Sequence, residues 1–163
     1  MSIIKRVMNT LFIIVVALIV LIFAYFFVLG QISKRGNPPG LMGDQLAKCS
    51  SKPNCVCSEY SEDQLHYIPP INIAGIHSEV AHARIREVMQ SLGGKLQTDD
   101  KHYLAFTFSS ALFGFVDDVE VRIDADKNAM HIRSASRVGY SDIGANRKRV
   151  EAIKDAFNKL SSG

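Results

Sequence analysis

The densest polar chemistry of this chain lies between Phe113 and Arg149. Asp117, Asp118 and Glu120 are followed there by His131, Arg133, Ser134, Ser136, Arg137, Tyr140, Asn146, Arg147 and Arg149. Three kinds of chemistry can be built from such a set. As hard oxygen donors, Asp117, Asp118 and Glu120, with His131 beside them, suit a divalent cation. Adjacent residues of a strand point to opposite faces, however, so Asp117 and Asp118 meet at one ion only across a bulge. Hydrolysis needs a nucleophile and a base, for which Ser134 or Ser136, His131 and Asp118 are the available parts. The two serines project together, whereas His131 falls on the other face of a regular strand, and no Gly-x-Ser-x-Gly elbow is present. No catalytic residue, metal ligand or cofactor is therefore assigned.

Anion recognition is the third chemistry and the one retained. Arg137 stands just before the start of the last helix, where free backbone N–H groups and the positive helix end favour an anion. Arg133 shares its strand face, Arg147 is the next cation, and Tyr140 and Asn146 add neutral hydrogen bonds. Arg133, Arg137, Tyr140, Asn146 and Arg147 are thus the expected site for a carboxylate or phosphate group. The plain structural alternative is self-neutralisation. Asp118, Glu120 and Arg122 share one strand face, and His131, Arg133, Ala135 and Arg137 share a face of the next, so cross-strand ion pairs on a solvated sheet face account for the same residues.

Cys49, Cys55 and Cys57 form a second cluster. A disulfide between Cys49 and Cys55 in an oxidising compartment, three reduced thiols, and a metal site all remain open, the last disfavoured because Cys-x5-Cys-x-Cys lacks a paired Cys-x2-Cys spacing. His66, His77, His82 and His102 show no ligand spacing and read as surface or turn residues. Phe113 and Phe115, flanking Gly114, read as core or sheet-edge packing, with a lipid-facing or partner-facing aromatic patch as the alternative.

The elements that must position these groups follow from periodicity. Ser78 caps a helix over 79–92 with Ala81, Ile85, Val88, Met89 and Leu92 on one face, closed by Gly93-Gly94. A short strand at 95–98 leads through Asp99-Asp100 to one in which Leu104, Phe106 and Phe108 alternate with Tyr103, Ala105 and Thr107. Val119, Val121 and Ile123 alternate with Asp118, Glu120 and Arg122 in the next, and 130–137 follows the Asp126-Lys127-Asn128 turn. Ser141 then caps a helix through Leu160 carrying Val150, Ile153, Phe157 and Leu160 as its apolar stripe. Tyr67-Ile68-Pro69-Pro70 supplies a short edge strand, and folded structure is expected to begin near His66. The expected class is α+β: an antiparallel sheet of four to five strands with two helices on one face.

Ahead of this domain, Leu11–Leu29 is 19 residues without charge, Pro or Gly. As a helix it covers about 28 Å, close to the hydrocarbon thickness of a bilayer. An uncleaved single-pass anchor is expected over a cleaved signal peptide, whose apolar region is shorter and ends at a small-residue site. Leu46-Ala47-Lys48-Cys49 is not a lipidation site, because Lys48 precedes the Cys and the apolar run ended some twenty residues earlier. The net charge of +3 is local. Lys5, Arg6, Lys34 and Arg35 flank the apolar run, and the remainder carries 15 basic against 16 acidic residues. That balance excludes a polycation built for nucleic acid. The flanks nearly tie under the positive-inside rule, and the cysteines tip the domain towards an exported location. The expected layout is a cytoplasmic terminus at 1–10, a transmembrane anchor at 11–29, a Pro/Gly linker at 30–48, and a soluble extracytoplasmic domain at 49–163.

The stretches Phe113-Gly114-Phe115-Val116-Asp117-Asp118-Val119-Glu120 and His131–Asp142, with Asn146-Arg147-Lys148-Arg149 after them and Pro53-Asn54-Cys55-Val56 before, resemble a bacterial and plastid family. It is known only as domain of unknown function fourteen ninety-nine, and the resemblance runs from about Cys49 to the end. It implies export, since members look like lipoproteins or secreted and lumenal proteins, and it carries over no catalytic residue. The chain departs from the family's usual pattern in having Cys57 where Ser is typical, and an apolar helix in place of a lipidated Cys. The reading is of a membrane-anchored binding or accessory module of the cell envelope, its domain in the periplasm or another extracytoplasmic space. Its partner is an envelope protein, a lipid or a small anionic ligand. An enzyme acting on an envelope substrate and a structural domain of a membrane complex are the alternatives.

Overall fold

A computed structural model describes residues 2–161. Helix α1, Ser2–Ser33, is followed by a small hairpin of β1 (Leu41–Met42) and β2 (Gln45–Leu46), then by β3 (Cys55–Cys57), β4 (Ile71–Asn72) and α2 (Ser78–Ser91). Four strands come next, β5 (Lys95–Asp100), β6 (Tyr103–Ser109), β7 (Val116–Asp124) and β8 (Ala129–Ser136), before α3 (Ala145–Ser161). The class is α+β. The main sheet has six strands in the order β3-β8-β7-β6-β5, with β4 also pairing with β8, and every pairing is antiparallel. Short turns between β5, β6, β7 and β8 make them neighbours, as the local connections require. The edge strand expected at 67–70 does not form, Tyr67 making only an isolated bridge to Cys57; β4 lies just after it at Ile71–Asn72, and β3 comes from loop-like sequence around the cysteines.

One sheet face carries the apolar core. Leu104, Phe106 and Phe108 of β6, Val119, Val121 and Ile123 of β7, and Met130 and Ile132 of β8 pack under Ala81, Ile85, Val88 and Met89 of α2 and Val150, Ile153 and Phe157 of α3. Alternation in the strands and the three-to-four spacing in the helices aim these side chains at one another. The helix starts differ from expectation. His77 occupies the position before α2 without a side-chain cap, and Ser78 is already helical. Asp142, rather than Ser141, holds the start of α3, its carboxylate accepting from the Asn146 amide at 2.7 Å and the Gly144 amide at 3.0 Å. The acceptor of a charged carboxylate matches the positive helix end better than a hydroxyl.

The opposite sheet face is buried too, which corrects the expectation of a solvated one. Residues 36–49 and Tyr60 lie across it: Leu46 is fully buried against Cys57, Tyr103 and Ala105, and Tyr60 donates to the Leu46 carbonyl at 3.0 Å. Folded structure therefore begins well before His66, and the Pro/Gly stretch within 30–48 carries a hairpin packed on β7 and β8. His66 is itself buried, its ring between the Asp63 carboxylate at 2.8 Å and the Lys52 carbonyl at 3.0 Å. The Asp63 carboxyl is held below its usual range by the hydrogen bond from His66. Cys49 and Cys55 form a disulfide, and Cys57 is a free thiol beneath the cover.

Helix α1 is long and apolar enough to cross a membrane, compatible with an anchor or a signal sequence, and its apolar side chains are exposed along most of its length. Its last turn is an exception. Gly30 and Ser33 are buried against the β6–β7 connection and the end of β8.

Candidate functional site: the junction of the apolar helix and the domain

The charged face resolves into ion pairs set by strand register. Glu120 stands opposite Arg133, and Arg122 opposite His131. Arg133 Nη1 donates to Glu120 Oε2 at 2.7 Å, and the other Glu120 oxygen accepts from Tyr103 Oη at 2.8 Å and the Gly40 amide at 2.9 Å. Arg122 donates to both oxygens of Glu59, at 2.7 and 3.2 Å, and His131 Nδ1 lies 3.4 Å from Glu59 Oε2. Burial pushes the Tyr103 phenol far above its ordinary range, and the Glu120 carboxylate adds to that. It likewise pushes the Cys57 thiol up to about 11. In an apolar surrounding the uncharged form of each group is favoured. Both groups are buried within the fold.

Arg137 has a different task. Its guanidinium grips Asp118 with two bonds, Nη2 to Oδ1 at 2.6 Å and Nε to Oδ2 at 2.9 Å, while Nη1 donates to the Ser33 carbonyl at 3.3 Å. Ser33 is the last residue of α1, so a fixed cation satisfies the negative end of that helix. The Ser33 hydroxyl accepts from the Val116 amide at 3.1 Å and donates to the Gly30 carbonyl at 2.7 Å. A Cβ on Gly30 would overlap the Phe113 carbonyl oxygen, so only glycine allows helix and connection to approach this closely. Below the lock, Phe113 stacks on Phe23 and Phe26 with ring centroids 5.7 and 5.4 Å apart, and Phe115 meets Phe26 edge-on at 6.4 Å.

The five residues expected to gather around an anion are not brought together. Arg133 and Arg137 sit on the covered face in the pairs just described. Asn146 is buried on the opposite face of the sheet, bonded to Ser134, Ser136 and the Asn54 carbonyl. Arg147 donates to the carbonyls of Tyr67 and Leu65, at 3.0 and 3.1 Å. Tyr140 is exposed on the loop before α3. Asp117 faces α3, where Arg149 holds it at 2.7 Å, so Asp117 and Asp118 serve different arginines on different faces. Ser134 and His131 also lie on opposite faces, Ser134 against Asn146 and His131 against Glu59.

A groove of about 510 Å³ opens where α1 meets the domain. Tyr25, Phe26 and Leu29 of α1 line it together with Phe115, Val138 and Tyr140, and Ser136, Asp117 and Asp142 add polar groups. The carboxylates in this lining are engaged, Asp117 by Arg149 and Asp142 by the amides at the start of α3. Ser33, Gly30 and Glu59 escaped the reading of the sequence. The signal that points to the junction is the charge-free run Ser109–Val116 joining two otherwise polar strand ends.

Fold and junction together define an α+β domain docked on the last turns of an apolar helix. The family model described as Protein of unknown function (DUF1499) matches residues 45–157, about two thirds of the chain, and the protein belongs to that family. No curated protein and no solved structure matches it.

Proposed function

We propose that the protein is a membrane-anchored, extracytoplasmic binding module of the cell envelope that takes an amphiphilic envelope component in the groove between α1 and the domain. On this reading α1 spans the cytoplasmic membrane once and the domain lies in the periplasm or an equivalent space. The disulfide between Cys49 and Cys55 suits an oxidising compartment. Lys5 and Arg6 stand on the cytoplasmic flank.

The composition of the groove carries the reading. The last turns of α1 contribute Tyr25, Phe26 and Leu29, and the domain adds apolar Phe115, Val116 and Val138 together with the polar groups of Ser136, Tyr140 and Ser141, so a largely apolar groove carries its polar groups on the domain side, as a hydrocarbon–headgroup boundary does. Its size lies in the range that accepts small molecules. With Arg133 and Arg137 committed to Glu120 and Asp118, the arginines do not line it, and Ser136, Tyr140 and backbone groups favour a hydroxyl-bearing head without net negative charge.

The test is lipid mass spectrometry of the full-length protein extracted in native nanodiscs from its own membrane, beside a Val138→Trp variant that fills the groove. One amphiphile class enriched with the wild type and lost from the variant is the expected outcome. Identical lipid profiles refute groove binding.

A further inference from the structure

The β6–β7 connection, residues 110–115, is the least explained surface of the domain. Leu112 is 73 % exposed, and Phe113 and Phe115 are only half-buried. From Ser109 to Val116 there is no charged residue. This tip lies along α1 rather than away from it: Leu112 and Phe113 line a hollow with Ile19, Val20, Phe23, Ala24 and Phe27.

We infer that the β6–β7 tip is a second membrane contact, inserted beside α1 into the outer leaflet of the same bilayer. This rests on the reading of α1 as a membrane span. If that helix crosses the bilayer, anything packed on Phe23 and Phe26 lies at their depth. Lys34 marks the water side, its side chain lying over Gly114, where a Cβ would stand 3.3 Å from Lys34 Cε. Phe26 and Phe23 are 8 and 11 residues earlier in α1, or roughly 12 and 16 Å deeper at ~1.5 Å per residue. The headgroup layer occupies only about 5–8 Å of each leaflet. The Phe113 ring, stacked on both, therefore lies below that layer, and the exposed face of Leu112 meets acyl chains.

Part of the tip's backbone is paired within the loop. Unpaired backbone groups are costly in hydrocarbon. The Ser110 amide donates to the Phe115 carbonyl at 2.8 Å, the Gly114 amide to the Ser110 carbonyl at 3.1 Å, and the Phe115 amide to the Ser110 hydroxyl at 3.0 Å. Gly114, at φ +67°, supplies the left-handed residue that closes this loop. The occupant is the bilayer rather than a protein partner because the hollow between the tip and α1 is lined by the apolar side chains of both, with Lys34 beside Gly114 on the water side.

The chain has no tryptophan, so single substitutions report depth directly. Full-length Leu112→Trp, Val20→Trp and Lys101→Trp variants are placed in phosphatidylcholine vesicles containing acyl-brominated lipid. Position 112 is exposed and position 101 is an exposed turn at the far end of β6, so neither substitution disturbs the core. The expected result is blue-shifted emission with loss of intensity for Leu112→Trp and Val20→Trp, and neither for Lys101→Trp. Quenching of Val20→Trp with Leu112→Trp emitting like Lys101→Trp overturns the tip and leaves the span standing. Equal quenching of Lys101→Trp and Leu112→Trp overturns selective insertion of the tip. An unquenched Val20→Trp removes the span, and the tip with it.

Discussion

Glu120 offers the most demanding check on the buried charged face. It is fully buried and accepts from Arg133 at 2.7 Å, Tyr103 at 2.8 Å and the Gly40 amide at 2.9 Å. Glu120→Leu leaves the Arg133 guanidinium, only 9 % exposed, without a counter-charge. Arg133 Nε already has no partner, so the side chain cannot turn to a second acceptor it holds in reserve. Breaking one half of such a pair costs about 3–5 kcal/mol. The orphaned Tyr103 hydroxyl adds about 1–3 kcal/mol, though the two terms overlap because all three groups share one network. A loss of about 4 kcal/mol is a large part of the roughly 5–15 kcal/mol that holds a domain folded. Arg133→Met alone is expected to cost about 3 kcal/mol, since Glu120 keeps two neutral donors. The Glu120→Leu, Arg133→Met double variant replaces the pair by apolar groups of similar size and is expected to lose no more than about 2 kcal/mol. Urea denaturation of the full-length protein in non-ionic detergent, followed by near-ultraviolet circular dichroism, measures all three. A Glu120→Leu loss under about 1.5 kcal/mol, or a double variant as damaged as the sum of the singles, would refute the reasoning.

Three further outcomes follow from the same geometry. Burial lowers the His131 pKa from 6.5, so below about that pH the unfolded chain takes up a proton the folded one refuses. Stability is then full above about pH 7 and falls as pH drops below 6.5, and His131→Gln should flatten that part of the curve; parallel wild-type and variant curves argue against it. Replacing Cys49 and Cys55 by Ser opens a loop with a sequence separation of 6, which costs about 2 kcal/mol on chain entropy, whereas Cys57 should resist alkylation at neutral pH until the protein unfolds. Rapid Cys57 labelling of the folded protein would contradict its burial. Gly30→Leu forces α1 away from the Phe113 carbonyl and should move the Leu112→Trp emission to the red; an unchanged spectrum would show that the close approach is dispensable.

The strands and helices were legible because alternation and helical spacing survive any amount of tertiary detail. Leu104, Phe106 and Phe108 announce one face of β6, and the pairing of Glu120 with Arg133 was implicit in the register of adjacent strands. What covers the second face was not legible. Gly36 to Gly40 has the composition of a free tether, and its attachment depends on backbone groups such as the Gly40 amide, which no side-chain pattern records. Arg137 illustrates the other limit. Its place ahead of α3 suggested an anion, and the structure gives it Asp118 and a backbone carbonyl of α1, a partner 104 residues away in sequence. A cation beside a helix start has the sequence signature of an anion site, and here it serves the carboxyl end of another helix.

That difference changes what the apolar helix can do for the domain. A flexible linker of the expected 30–48 segment would let the domain roam by about 24 Å, taking ~5–6 Å times the square root of its residue count. The bonds of Ser33 to Val116 and Arg137, and the seating of Gly30 on Phe113, remove that freedom within the last turn of the helix itself. A domain held this way samples one height and a narrow set of orientations. It cannot reach for a distant partner. On the proposal that α1 spans a membrane, any ligand the domain recognises arrives at the membrane surface, where the groove walled by Tyr25, Phe26 and Leu29 opens. Arg137 is then a positioning residue: its two bonds to Asp118 fix the guanidinium's orientation, so satisfying the Ser33 carbonyl costs little further side-chain entropy. Rigidity at the junction and location of the groove are consequences of the same few bonds.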